Sequence, residues 1–122
     1  MKIAISAEGK DITAGVDLRF GRAKGFLIYD TDSDGSVYVD NRQNLESAQG
    51  AGIQTARTVI DAGADILITG NVGPKAFAIL NDADVKIYLY KNDKNGNAGN
   101  ALDQFHRGEL EMISAANVEG HW

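Results

Sequence analysis

Two short stretches hold the residues best suited to chemistry. Arg19-Phe20-Gly21-Arg22-Ala23-Lys24 gathers three cations around one aromatic and one glycine, in a chain of net charge -5. Arginine offers an anion a planar fork of donors, and glycine lets the backbone come close to it. The second stretch is Ile66-Leu67-Ile68-Thr69-Gly70-Asn71-Val72-Gly73-Pro74-Lys75. Its apolar, β-branched start reads as a buried strand, Thr69 to Gly73 as a small-residue turn, and Pro74 as the first position of a helix. Such a passage leaves several backbone N–H groups unpaired and aimed outward, with the positive end of the helix dipole behind them. Both stretches suit anion binding. Plainer alternatives stand beside them: a solvated loop with Phe20 tucked into the core, and a tight βα connection whose glycines serve only the turn.

Other signals are weaker. Gly50-Ala51-Gly52 opens a helical pattern and could face an anion. The third glycine of a dinucleotide fingerprint is missing, because Gln54-Thr55 is followed by Ala56. A tight helix start explains it as well. Asp30-Thr31-Asp32-Ser33-Asp34-Gly35 copies the opening of a calcium loop, but the twelfth position is Asn41, not a bidentate glutamate, and the flanks read as strands. An acidic turn is the better account. The chain has no cysteine, which excludes thiolate nucleophiles and any iron–sulfur cluster held by its own thiolates. Of its two histidines, His106 suits the last turn of a helix, where it complements the dipole. His121, beside the terminal Trp122, is a candidate ligand or donor at a site edge, or part of a docked or frayed tail. No Ser–His–Asp spacing and no complete phosphate loop is present, so catalysis is not expected.

A scaffold must position these residues. A chain of 122 residues with 43% hydrophobic and 24% charged residues fits one domain with its own core, here taken as residues 1–122. Its acidity argues against nucleic acid as a partner, and no apolar run is long enough to span a bilayer. Met1-Lys2-Ile3 leads straight into a strand pattern without a signal peptide, so a cytoplasmic protein is expected. Lys2 to Ser6 reads as a first strand and Gly9 to Gly25 as a loop. Phe26–Asp30 and Ser36–Asp40 read as a hairpin, and Asn41 to Ala51 as another loop. Helical spacing follows from Gly52 to Ala62, from Ala76 to Leu80 and from Ala98 to Phe105, with Gly63 and Gly108 as stops. Val85 to Leu89 alternates as a strand, and Asn92 to Gly99 reads as a turn. The order predicts an α/β fold with a mixed sheet of about five strands and about three helices. Ligands of such sheets lie outside the carboxyl ends of the strands. That rule gathers the Arg19–Arg22 loop, Gly50–Gly52 and Thr69–Lys75 on one edge.

Ile5-Ser6-Ala7-Glu8-Gly9, Val16 through Ala23, Gly50-Ala51-Gly52-Ile53, Asp65 through Pro74 and the terminal Asn117 through Trp122, in that order, resemble the dinitrogenase iron–molybdenum cofactor biosynthesis proteins. The resemblance covers nearly the whole chain, and Phe-Gly-Arg-Ala with Thr-Gly-Asn-Val-Gly-Pro is its most specific part. It implies a ribonuclease H-like α/β fold and a non-enzymatic carrier of metal–sulfur clusters, with protein partners in delivery or signalling and no membrane. Absence of cysteine is similar to the branch that holds a molybdenum–copper sulfide cluster non-covalently; another molybdenum- or iron-containing sulfide cluster is the implied alternative. Such a polyanion would draw on Arg19, Phe20, Gly21, Arg22, Gly50, Gly52, Thr69, Gly70, Asn71, Val72, Gly73, Lys75 and His121, with no residue assigned as a direct metal ligand. A competing expectation is a binder or enzyme for a phosphorylated small molecule at the same glycine turns.

Overall fold

Period-two patterning that is apolar on both faces marks a strand covered on both sides. Two strands here have it: β1 (Lys2–Ala7) and β4 (Ile66–Thr69), which pair in parallel with Ala4 opposite Leu67. A computed structural model of the chain describes residues 1–45, 50–91 and 96–117. Its sheet has the order β3-β2-β1-β4-β5-β6. The hairpin of β2 (Gly25–Asp30) and β3 (Gly35–Asp40) runs antiparallel along one side of β1. β5 (Lys86–Leu89) continues the parallel set beyond β4, and β6 (Glu111–Met112) closes the other edge antiparallel to it.

The expected α/β class and mixed sheet are present, but six strands are described, not five. The added one, β6, is two exposed residues pairing with Tyr88 and Leu89, too short to leave a periodic signal. Four helices are described, not three. The extra helix, α1 (Arg42–Leu45), is a single turn inside the stretch read as a loop. Asp40 starts it by accepting the Arg42 N–H at 2.8 Å, a local side-chain cap that helical spacing does not reveal. The rest of that loop, residues 46–49, and residues 92–95 of the expected Asn/Gly turn lie outside the described residues.

The helices follow their sequence signals. α2 (Ala51–Asp61) buries Ala51, Thr55, Ala56 and Val59 at helical spacing, and Gly63 lies just past its end at φ +83°. α3 (Pro74–Asp82) begins on its proline. α4 (Ala98–His106) is capped by Asn97, whose Oδ1 accepts the Asn100 N–H at 2.8 Å, and Gly108 follows it at φ +72°.

Two apolar layers result. α2 and α3 cover one face of the sheet, where Val59 and Leu80 pack with Ala4, Leu67, Phe20 and Phe26. α4 covers the other, where Leu102 packs with Ile3, Ile5 and Ile68. No helix among the described residues is long and apolar enough to cross a membrane.

Candidate functional site

β1 and β4 are parallel, so the chain leaves both at the same edge of the sheet. After β1 it forms the loop that carries Arg19, then a single 3₁₀ turn at Phe20–Arg22. After β4 it forms the Gly70–Gly73 turn and enters α3. Hydrogen bonds bring the two segments together. The Asn71 N–H donates to Leu18 O at 2.6 Å, and the Phe20 N–H donates to Asn71 O at 3.1 Å. Beneath them, Ser6 Oγ lies 2.6 Å from Asp17 O and 2.7 Å from Thr69 Oγ1, in a pocket closed to solvent. Asp17 is itself buried and accepts the Arg19 N–H at 3.0 Å. The arginine-bearing loop is thus built on the ends of β1 and β4.

The third element is the start of α2. A Cβ on Gly52 would lie 3.6 Å from the Cβ of Ala76, so the first turns of α2 and α3 sit side by side. Both helices have glycine at the N-cap, Gly50 and Gly73, and among the described residues no side chain caps either N-terminus. Gly50 reaches the start of α2 in the left-handed region, at φ +80°, which a glycine adopts without a steric penalty. Two dipole ends therefore point their positive poles at one patch. The 3₁₀ turn packs against α2, which brings the Arg19–Arg22 segment to the same patch.

The expected residues divide by where their side chains go. Arg19 is mostly exposed, with 57% of its side chain accessible and its Nε 3.9 Å from Asp17 Oδ1. Lys75 is exposed and Arg22 half-buried. Gly50, Gly52, Gly70, Asn71 and Gly73 reach the surface at least in part, whereas Gly21 is buried. Phe20, Thr69 and Val72 turn inward: each is at most 1% exposed, and the Phe20 ring packs on Phe26 with centroids 5.5 Å apart. Only their backbones lie near the patch. His121 lies outside the described residues.

The turn offers fewer free donors than its glycines suggest. The Asn71 amide is engaged by Leu18 O, and the Val72 amide by Oδ1 of Asn117 at 2.8 Å. Among the described residues, the N–H groups of Gly73, Lys75 and Ala76 have no partner, so the donors available to a ligand lie at the helix start and not along the whole turn. Gly70 is a glycine for packing: a Cβ there would fall 2.6 Å from Leu18 O. Sequence reasoning missed Leu18, Ser6, Asp17 and Asn117 as site-building residues. Leu18, Ser6 and Asn117 act on a turn 45 or more residues away in the chain, which local spacing does not reveal, and Asp17 joins a local bond to Arg19 with a carbonyl that meets Ser6.

Elsewhere the acidic groups have local duties. Asp30 accepts the Asp32 N–H at 2.9 Å, and Asp34 accepts the Tyr29 hydroxyl, so the calcium-like segment is a hairpin turn tied by its own carboxylates. The described residues contain no group of three or more His, Asp or Glu placed to hold a metal ion. A separate groove of about 440 Å³ between α4 and the hairpin has Asp11, Asp34 and Asp103 in its lining beside Ile12, Leu102 and His106, and its three carboxylates disfavour an anion.

Residues 1–108 match the model of the family described as dinitrogenase iron–molybdenum cofactor. The chain belongs to that family. Its fold is similar to that of the apo form of the orange protein from Desulfovibrio gigas, at 38% identity, a TM-score of 0.89 and 96% coverage of each chain. It is also similar to a protein from Thermotoga assigned provisionally to NifB, at 36% identity, a TM-score of 0.82 and 98% coverage of each chain. An uncharacterised protein of Methanocaldococcus jannaschii is 24% identical over 93 residues, spanning 72% of this chain and 73% of that one.

Proposed function

We propose that this chain binds and carries an anionic metal–sulfur cluster at the patch where α2 and α3 begin, without catalysing a reaction. The observation that carries the reading is the meeting of two adjacent helix N-termini, both with glycine N-caps, with the loop bearing Arg19 and Arg22. Positive dipole ends, unengaged N–H groups and guanidinium forks suit a polyanion. Membership of the family and similarity to the orange protein support the same class of cargo.

The finer reading is a molybdenum–copper sulfide cluster held without a covalent bond. With no cysteine in the chain, a cluster must bring its own sulfur, and the protein contributes charge, hydrogen bonds and shape. The ribonuclease H-like assignment of the fold goes with this reading. So do a cytoplasmic location, protein partners in delivery or signalling, and a role apart from nucleic acid and membranes, which the net charge of -5 supports.

The test is an optical spectrum and metal analysis of the purified protein, before and after addition of tetrathiomolybdate and a copper salt. Retention of new visible bands through gel filtration, with molybdenum and copper in fixed ratio, is the expected result. A protein that retains no metal but is stabilised by a phosphorylated small molecule overturns it in favour of a phosphate binder at the same turns.

A further inference from the structure

The Gly70–Val72 segment is the middle rung of a small backbone ladder. On one side, Asn71 exchanges hydrogen bonds with the arginine loop: its N–H donates to Leu18 O at 2.6 Å, and its carbonyl accepts the Phe20 N–H at 3.1 Å. On the other side stands Asn117, from the C-terminal segment. Asn117 accepts the Val72 N–H on Oδ1 at 2.8 Å, donates from Nδ2 to Gly70 O at 3.0 Å, and donates its own N–H to Val72 O at 3.2 Å. One asparagine thus satisfies three polar groups on two residues of the turn. The geometry resembles that of a paired strand, supplied by a side chain and one amide. Asn117 lies beyond residues 1–108, which carry the family match.

We propose that Asn117 is a positioning residue for the cargo, an inference that rests on the cluster-binding reading above. It touches the turn and not the ligand. Val72 is followed at once by Gly73 and by the first turn of α3, whose N–H groups face the patch. Fixing Val72 on one side and Asn71 on the other sets the direction in which that helix starts. Through Leu18 the same ladder holds the backbone just before Arg19. A preorganised donor set binds an anion more tightly than one that must first be ordered. The clamp therefore ties the segment after residue 108 to the affinity of a site built before it.

The experiment compares the full-length wild type with Asn117→Ala, and with Leu102→Ala as a control in the opposite core layer, under α4. Each is titrated with tetrathiomolybdate and a copper salt, followed by visible circular dichroism of the bound cluster and by amide exchange at Val72. Asn117→Ala should bind about tenfold more weakly, since the turn loses both side-chain hydrogen bonds. Its Val72 amide should exchange on the order of tenfold faster, and the visible dichroism of the bound cluster should change shape. Leu102→Ala should lose stability yet keep wild-type affinity and dichroism. Equal affinity in wild type and Asn117→Ala overturns the inference and leaves the cluster-binding reading standing. Equal weakening in Leu102→Ala also overturns it, by making the effect one of general stability. A wild type that retains no cluster overturns both.

Discussion

Gly70 is pressed against Leu18 so closely that a Cβ on the glycine would lie 2.6 Å from the Leu18 carbonyl oxygen and 2.7 Å from its Cβ. This contact seats the turn after β4 on the loop after β1, and it makes the glycine a packing requirement. Gly70→Ala must push the two segments apart. Forcing an added methyl into a closely packed contact costs about 1–3 kcal/mol. Urea unfolding should show a loss in that range, with weaker cluster retention. An alanine variant as stable as the wild type is the outcome this account cannot absorb.

The pair Ser6 and Thr69 lies 63 residues apart in sequence and shares a buried hydrogen bond at 2.7 Å. Ser6→Ala leaves the Thr69 hydroxyl and Asp17 O without that partner in a dry site, at a cost of about 1–3 kcal/mol. The double variant Ser6→Ala, Thr69→Val should lose less than the sum of the two single variants, because the second change removes a group already left unsatisfied. Chemical denaturation of all four proteins gives the coupling directly; strict additivity would remove the physical link between the ends of β1 and β4.

Among the described residues the Arg19 guanidinium has one ion pair, a long one to Asp17 at 3.9 Å, and 57% of its side chain is exposed. Its removal should change stability little, since at 3.9 Å the guanidinium is beyond hydrogen-bond reach of Asp17, and the buried carboxylate keeps the Arg19 N–H as its donor. The double variant Arg19→Ala, Arg22→Ala should instead weaken tetrathiomolybdate–copper binding by at least about tenfold, with a shallower dependence of affinity on salt. Lys75→Ala should add to this. Unchanged cluster uptake in the double variant would remove these arginines from the site.

Two tyrosines report on the hairpin. The hydrogen bond from the Tyr29 hydroxyl to Asp34 raises the Tyr29 pKa above its ordinary value, with burial and the nearby carboxylates acting in the same sense. Burial, followed by the charge of Asp40, raises that of Tyr38. A raised folded-state pKa means that the folded form holds its proton longer. The associated stability is present below about pH 10, the unfolded value, and is lost as pH climbs through the raised folded values. Ultraviolet titration should therefore show part of the tyrosine signal ionising late. Asp34→Asn should return one tyrosine toward its ordinary pKa; it keeps a residue type that tolerates the positive φ of 58° at that position. A titration curve identical to the wild type would argue against the Tyr29–Asp34 bond.

Asp40 carries the opposite sign. Its bonds to the Arg42 side chain, and then to the Arg42 backbone, lower its pKa. The contribution is present above the ordinary carboxylate pKa of about 4 and disappears as pH falls through the lowered value. Protection of the Arg42 amide, taken relative to its intrinsic exchange rate at each pH, should fall on acidification through that window. In Asp40→Asn the protection should lose this acid dependence; an unaltered pH profile would show that the carboxylate does not govern the start of α1.

The sequence by itself determined what depends on neighbours within a few residues. Alternation in Lys2–Ser6 placed Ile3 and Ile5 on one face, and helical spacing marked Ala98, Ala101 and Leu102 as the buried side of α4. Pro74, Gly63 and Gly108 marked helix ends, because each acts through its own backbone freedom or the lack of it. The edge that gathers Arg19, Gly52 and Lys75 was legible too, since the carboxyl ends of parallel strands must share one side. Tertiary structure alone decided how that edge is built. Whether the Asn71 and Val72 amides face a ligand or a protein carbonyl depends on Leu18 and Asn117, and Asn117 is 45 residues from Val72 in the chain. Phe20 and Val72, both among the residues expected at the cluster, are core because α2 and α3 close over them. Strands β6 and helix α1 are too short to leave a period and exist only where a partner strand or a capping carboxylate is already in place. Dihedral preference and periodicity are local and can be read along the chain; a hydrogen bond across dozens of residues is fixed only when the sheet sets its register.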